Sequence, residues 1–366
     1  MVANKTHIKP LTGMRGIAAL GVLLHHIVIY FMPSAGDSAS AYTQFFHNGY
    51  LWVDFFFILS GFLLYVLYFD KLTLQRRTLR SFWIYRFARI YPLHLMVLLL
   101  FLLVQLLYLA VGDADAFTGK FGLPDLLKHL FLLQAFQLSP GGTTWNGPSW
   151  SISAEWFAYL GFPLMVLVIR RIRGKLASLY GLVVCLSGIA LIDSRTAFQL
   201  DVTGVLGILR CLLEFFAGML LAHQFYRPSK GQRLAKSPVQ VMLLLLLILS
   251  MHFDHSDVAS VVLIAIFILS MAHGKTGIAA VLSHNLFIFL GNISYSIYML
   301  HWFVFLLIEK AGTQIFGIYV YHIDHALGWL VVSLLVLIAV MLLSILSFRW
   351  VEEPLRKRIP QSLGAM

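Results

Sequence analysis

Arg15 and His26 lie eleven residues apart inside the first long apolar stretch of the chain, Leu11 to Met32. At about 100° per residue, eleven residues turn three times plus about 20°, so both side chains leave one helix face, roughly 16 Å apart along the axis. An ionisable group inside a spanning helix costs several kcal/mol unless it is paired or hydrated, and by default it marks a site or a pathway. Arg15 falls at the inner edge and His26 near mid-membrane. A histidine that meets a carboxylate at that depth has the parts of an oriented general base. Glu155, about 8 Å below the outer surface by its place in the fourth apolar stretch, is the carboxylate expected to orient it, and Asp54 lies at the same depth in the second.

A second constellation is suited to anions. Lys71 to Pro92 (KLTLQRRTLRSFWIYRFARIYP) interleaves Lys71, Arg76, Arg77, Arg80, Arg86 and Arg89 with five aromatic residues. Much of that is the basic and aromatic composition found at any inner membrane interface. Arg86 and Arg89 differ, because an i, i+3 spacing puts both guanidiniums on one face, where they can grip phosphate. Phe348 to Pro360 (FRWVEEPLRKRIP) is a second basic, aromatic segment that completes the same anion site or anchors the last helix. Arg210 and Glu214, spaced i, i+4, read as an internal ion pair with no chemistry of their own.

The elements that position these groups follow from composition. The chain has 366 residues, 60% of them hydrophobic and 12% charged, with a mean hydropathy of +0.84. That is far beyond what a soluble core needs. About 20 apolar residues cross a hydrocarbon layer of roughly 30 Å, and ten stretches qualify: 11–32, 49–69, 91–112, 150–169, 176–193, 204–225, 239–253, 258–273, 293–309 and 326–348, the seventh and eighth being short. The expected fold is all-α, one polytopic membrane domain over residues 1–366 of about ten transmembrane helices. Residues 126–138, apolar but too short to cross, are expected as an outer interfacial or re-entrant helix, and 349–366 as a cytoplasmic tail. The first stretch has no cleavage site near its end and reads as retained helix. With both termini placed inside, 22 of the 27 Lys and Arg residues fall on the cytoplasmic side, which fixes the orientation. The formal charge of +11 then needs no nucleic acid. Cys185 and Cys211 fall inside spans and suggest neither a disulfide nor a metal site.

Several motifs in order resemble the acyltransferase-3 family of membrane acyltransferases. Arg15 to His26 resembles its arginine–histidine signature, Gly49 to Leu63 its second-helix motif, Tyr85 to Pro92 its arginine pair, Trp150 to Glu155 its tryptophan–serine–glutamate motif. Gly291 to His301 resembles the late tyrosine–histidine motif and Trp350 to Pro354 the closing element. The likeness runs from about residue 9 to 356. It implies a bacterial inner-membrane enzyme that moves an acyl group, acetyl by family frequency, from cytoplasmic acyl-CoA to a sugar hydroxyl of an exported or lipid-linked polysaccharide. By this resemblance Arg15, Arg77, Arg86, Arg89, Tyr298 and His301 meet the acyl-CoA, while His26, Glu155, Arg15 and Asp54 form the catalytic group, without a metal. Many relatives append a hydrolase-like domain, and the expectation here is a form acting alone or with separately encoded polysaccharide-assembly partners. The competing class is a transporter or flippase, in which the buried charges carry protons or substrate.

Overall fold

A backbone in hydrocarbon can satisfy its N–H and C=O groups only internally, so each long apolar stretch winds into a helix. The computed structural model describes residues 8–31, 43–72, 75–136, 143–172, 174–196, 199–226, 232–253, 256–317 and 326–365. Among these residues there is no strand. The helices are α1 (Lys9–Phe31), α2 (Leu51–Tyr68), α3 (Arg76–Ala110), α4 (Leu123–Leu130), α5 (Trp150–Arg171), α6 (Gly174–Arg195), α7 (Gly204–Leu221), α8 (Ser237–Phe253), α9 (Asp257–His273), α10 (Ile278–Leu282), α11 (Asn285–Phe316), α12 (Ala326–Ser347) and α13 (Glu353–Ser362). Among the described residues eight segments are long and apolar enough to cross a membrane. The two that the sequence marks as short are α8 and α9, with 17 residues each. The protein is a multi-pass membrane protein.

Two close helix pairs build the centre. Hydrophobic burial does not drive helices together in lipid, so association relies on backbones that approach closely over small residues. In the α1–α11 pair, a Cβ added at Gly291 would run into the Thr12 carbonyl oxygen, and one at Gly16 into Leu290. In the α2–α7 pair, Gly61 meets the Phe215 carbonyl and Gly218 the Ile58 carbonyl in the same way. Contacts of Arg15 with Ser294, His26 with His301 and Tyr30 with Glu309 step up both partners in the same direction, so α1 and α11 run parallel. By contrast α6, α8 and α12 leave about half of their large apolar side chains exposed, as lipid-facing helices do.

Three elements depart from the sequence reading. First, α3 is one helix of 35 residues, about 52 Å long, so the basic segment is the continuation of the third span. Second, residues 126–138 are not one helix. Helix α4 has 8 residues, and the chain leaves helical geometry at Leu132, at φ 57°; residues 137 and 138 lie outside the described ones. Polar groups pin this segment: Ser153 donates to the Leu132 carbonyl at 2.6 Å, Gln134 to the Ser149 carbonyl at 2.9 Å, and buried Trp145 to the Gly122 carbonyl at 3.0 Å. His129, pushed down to about 3 by burial and by neighbouring His94, lies among them. Third, residues 349–365, expected as a cytoplasmic tail, are largely helical. A π turn over Phe348–Glu352 leads into α13, which packs on α3, with Arg80 donating to the Leu363 carbonyl at 3.1 Å.

Candidate active site

A cavity of about 300 Å³ opens among α1, α2, α3, α5, α11 and α13. Its wall on α2 runs from Val53 to Leu67, about 21 Å at helical rise. Four guanidiniums line it: Arg15 from α1, Arg86 and Arg89 from α3, and Arg356 from α13. Arg15 donates to Ser294 at 3.1 Å. Arg86 donates to the Tyr68 hydroxyl at 3.3 Å and lies over the Tyr68 and Tyr159 rings at 5.4 and 5.8 Å, while its Nε is buried without a partner. Arg89 and Arg356 make no hydrogen bond or ion pair with any described residue. Among the described residues the one carboxylate in the lining is Glu155, and Glu352, next in electrostatic reach of Arg89, Arg15 and Arg356, accepts from Ser296 at 2.9 Å. Four fixed positive charges against two carboxylates leave a net positive chamber. Such an excess in a low-dielectric site attracts anions strongly.

Deeper in, Glu155 accepts from Ser60 and, at 2.5 Å, from Tyr159, and all three line the cavity. The innermost lining includes Ser151 and Tyr298, whose hydroxyls meet at 2.6 Å, Tyr298 also donating to the Pro148 carbonyl at 2.7 Å. The Tyr298 ring is 5.9 Å from that of His301. His301 in turn touches His26, Nε2 to Nδ1 at 3.0 Å, with the two rings stacked at 4.9 Å. Trp302 covers His26 edge-on at 5.4 Å. The histidine pair therefore stands one side-chain layer beyond the cavity.

The sequence-predicted residues divide accordingly. Arg15, Arg86, Arg89, Glu155 and Tyr298 come together in one chamber. His26 is close to it, yet the expected Glu155–His26 contact is absent among the described residues, because Glu155 is engaged by Ser60 and Tyr159 and the ring nitrogen of His26 by His301. His301, expected on acyl-CoA, is fully buried against His26 instead. Arg77 is exposed at the start of α3 and does not line the chamber. Asp54 also leaves the proposed catalytic layer: it is fully buried and receives two hydrogen bonds from Arg210, from Nε at 2.9 Å and from Nη2. Glu214, the expected partner of Arg210, forms the i, i+4 ion pair with it at 3.6 Å, and Asp54 is the further, closer partner. The close approach of α2 and α7 at Gly61 and Gly218 makes the interhelical pair possible, and no spacing within either helix announces it. Sequence reasoning passed over Tyr159 and treated Arg356 only as part of a basic segment. The i, i+4 spacing of Glu155 and Tyr159 was a readable signal for the first. Arg356 reaches the chamber because α13 packs on α3. Among the described residues no group of His, Cys, Asp and Glu could hold a metal ion, and both cysteines are buried and free.

A bundle of spanning helices around a buried, arginine-rich chamber with a histidine pair at its head is the build of an integral-membrane enzyme or carrier. The family model described as an acyltransferase domain, acyltransferase-3, matches residues 8–349, and the chain belongs to that family. It is similar to the acyltransferase MdmB of Streptomyces mycarofaciens, 32% identical over 173 residues, covering 47% of this chain and 42% of that protein. A provisionally named O-acetyltransferase of Staphylococcus aureus (strain COL), SACOL0978, is 25% identical over 387 aligned positions, covering 96% of this chain and 58% of the relative. A provisionally named peptidoglycan O-acetyltransferase of Bacillus subtilis, YrhL, is 23% identical, with 96% and 55% covered. The chain thus spans about half the length of the curated relatives it matches. No solved structure matches it.

Proposed function

We propose that this protein is a membrane O-acyltransferase that moves an acyl group, acetyl in the first instance, from acyl-CoA to a sugar hydroxyl of an exported or lipid-linked glycan. The observation that carries the reading is the chamber itself, with guanidiniums at its open end and the histidine pair beyond its head. With the basic end toward the cytoplasm of a bacterial inner membrane, as the distribution of Lys and Arg supports, the donor enters there. Arg86, Arg89, Arg15 and Arg356 hold its phosphates through bidentate, permanently charged contacts. Glu155 repels phosphate and so limits how far the charged part travels, while Ser60 and Tyr159, held by that carboxylate, line the path of the uncharged arm. Tyr298 meets the thioester end.

The acceptor arrives from the opposite face. His26 takes the proton from its hydroxyl as the oxygen bonds to the acyl carbon, the C–S bond breaks, and the same proton passes to the departing CoA thiolate. Products are the ester and free CoA. In proteoliposomes supplied with radiolabelled acetyl-CoA, His26→Ala is expected to lower transfer about a thousandfold, the scale of general-base loss, with insertion and acetyl-CoA binding intact. Near-normal transfer by that variant contradicts the assignment. Mass spectrometry of surface glycans from cells with and without the gene identifies the acceptor through the lost acyl mass.

A further inference from the structure

His301 is fully buried, on α11, while His26 keeps part of its surface open. One hydrogen bond joins them, between His301 Nε2 and His26 Nδ1 at 3.0 Å, and one proton must sit between those two nitrogens when both rings are neutral. If it belongs to His301, His26 carries its proton on Nε2 and has no free lone pair for an incoming hydroxyl. If it belongs to His26 Nδ1, Nε2 is bare and basic. The position of this proton decides whether His26 can act as a base.

The proposed role of His26 supplies the answer. Its Nδ1 faces His301 Nε2, so the nitrogen left to meet an acceptor hydroxyl is Nε2. A base at His26 Nε2 requires the shared proton on His26 Nδ1, which makes His301 Nε2 the acceptor facing His26 Nδ1–H. His301 then carries its own proton on Nδ1, which is buried with no hydrogen-bond partner among the described residues.

Resting on the acyltransferase reading above, we propose that His301 is the positioning residue of the reaction: its Nε2 accepts from His26 Nδ1–H, fixes the tautomer that bares His26 Nε2, and holds the imidazolium formed when the acceptor hydroxyl gives up its proton. A neutral imidazole occupies the place that a carboxylate takes in serine hydrolase triads. Burial explains the choice, since an unpaired carboxylate at this depth costs several kcal/mol. Stacking on His301 and the edge of Trp302 hold the His26 ring in place.

The test separates positioning from donor binding and from packing. His301→Leu fills similar space without a nitrogen, and His301→Gln places an amide oxygen near the Nε2 position. His301→Asn is one methylene too short to reach. With acetyl-CoA and the acceptor glycan in proteoliposomes, His301→Leu is expected to lower kcat about a hundredfold or more while KM and Kd for acetyl-CoA stay within about twofold. His301→Gln is expected to recover kcat to within about tenfold of wild type, and His301→Asn to remain as low as Leu. Wild-type kcat in the Leu variant overturns the proposal, as does a loss confined to KM or Kd for acetyl-CoA. Should the Leu variant fail to fold, the Gln and Asn pair decides, because equal kcat in those two removes any role for the Nε2 acceptor. His26→Ala run alongside isolates the wider reading: an active His26→Ala sinks the site assignment, whereas an inactive His26→Ala beside a fully active His301→Leu sinks only the role of His301.

Discussion

Two arginine clusters lie in the same membrane bundle and use the same residue types in opposite ways. Around Arg210 the guanidinium is closed off by the Asp54 carboxylate, by the Leu200 carbonyl and by Glu214 at 3.6 Å, with every charged side chain at or below 1% exposure. In the chamber, Arg89 and Arg356 have no hydrogen-bonded partner among the described residues, and Arg86 leaves its Nε unsatisfied. A charge taken out of water without a partner is expensive, and on the proposed function an anionic donor offsets that cost for part-buried Arg86 and Arg89. Paired arginine staples α2 to α7; unpaired arginine is, on that proposal, the anion site.

That contrast yields changes of graded size. Asp54→Ala removes the two-point partner of a buried guanidinium, leaving it Glu214 at 3.6 Å, and is expected to cost about 3 kcal/mol of stability, the low end for breaking a buried pair. The effect should appear as a large fall in melting temperature and yield in detergent, before any effect on donor affinity in the surviving fraction. A stable Asp54→Ala protein with lost acetyl-CoA binding would put Asp54 back in the site and erase the distinction. Arg356 is the most exposed of the four chamber arginines, so screening weakens its contribution to about 0.5–1 kcal/mol. Arg356→Ala is therefore expected to raise the Kd for acetyl-CoA two- to fivefold at low salt, a difference that shrinks as salt is added. A salt-independent change would mean that α13 acts through packing.

The fold was legible where one helix carries its own signal. Ten apolar stretches, the all-α class, the shared face of Arg15 and His26, and the i, i+3 pair Arg86–Arg89 all come from periodicity and composition; each stretch is helical, eight of the helices among the described residues are long enough to cross a membrane, and Arg15, Arg86 and Arg89 line one chamber. Pairings between helices were not. Whether Asp54 faces Arg210 or His26 depends on the approach of α2 to α7 at Gly61 and Gly218, and whether His26 meets Glu155 or His301 depends on α1 running parallel to α11. Neither register is encoded within one segment. The same holds for Arg356, which enters the chamber through the π turn at Phe348–Glu352, and for residues 126–138, where Ser153, Gln134 and Trp145 end the helix that hydropathy alone would extend.

The most direct test of the account is equilibrium binding of labelled acetyl-CoA to purified wild type and to the Arg86→Gln, Arg89→Gln double variant, each checked for its melting temperature. Charge-assisted hydrogen bonds of about 1.5–3 kcal/mol each predict at least a hundredfold weaker Kd with the melting temperature unchanged. Equal affinity in the two proteins, or a double variant that loses its fold instead of its ligand, would contradict the claim that these arginines are unpaired in order to bind.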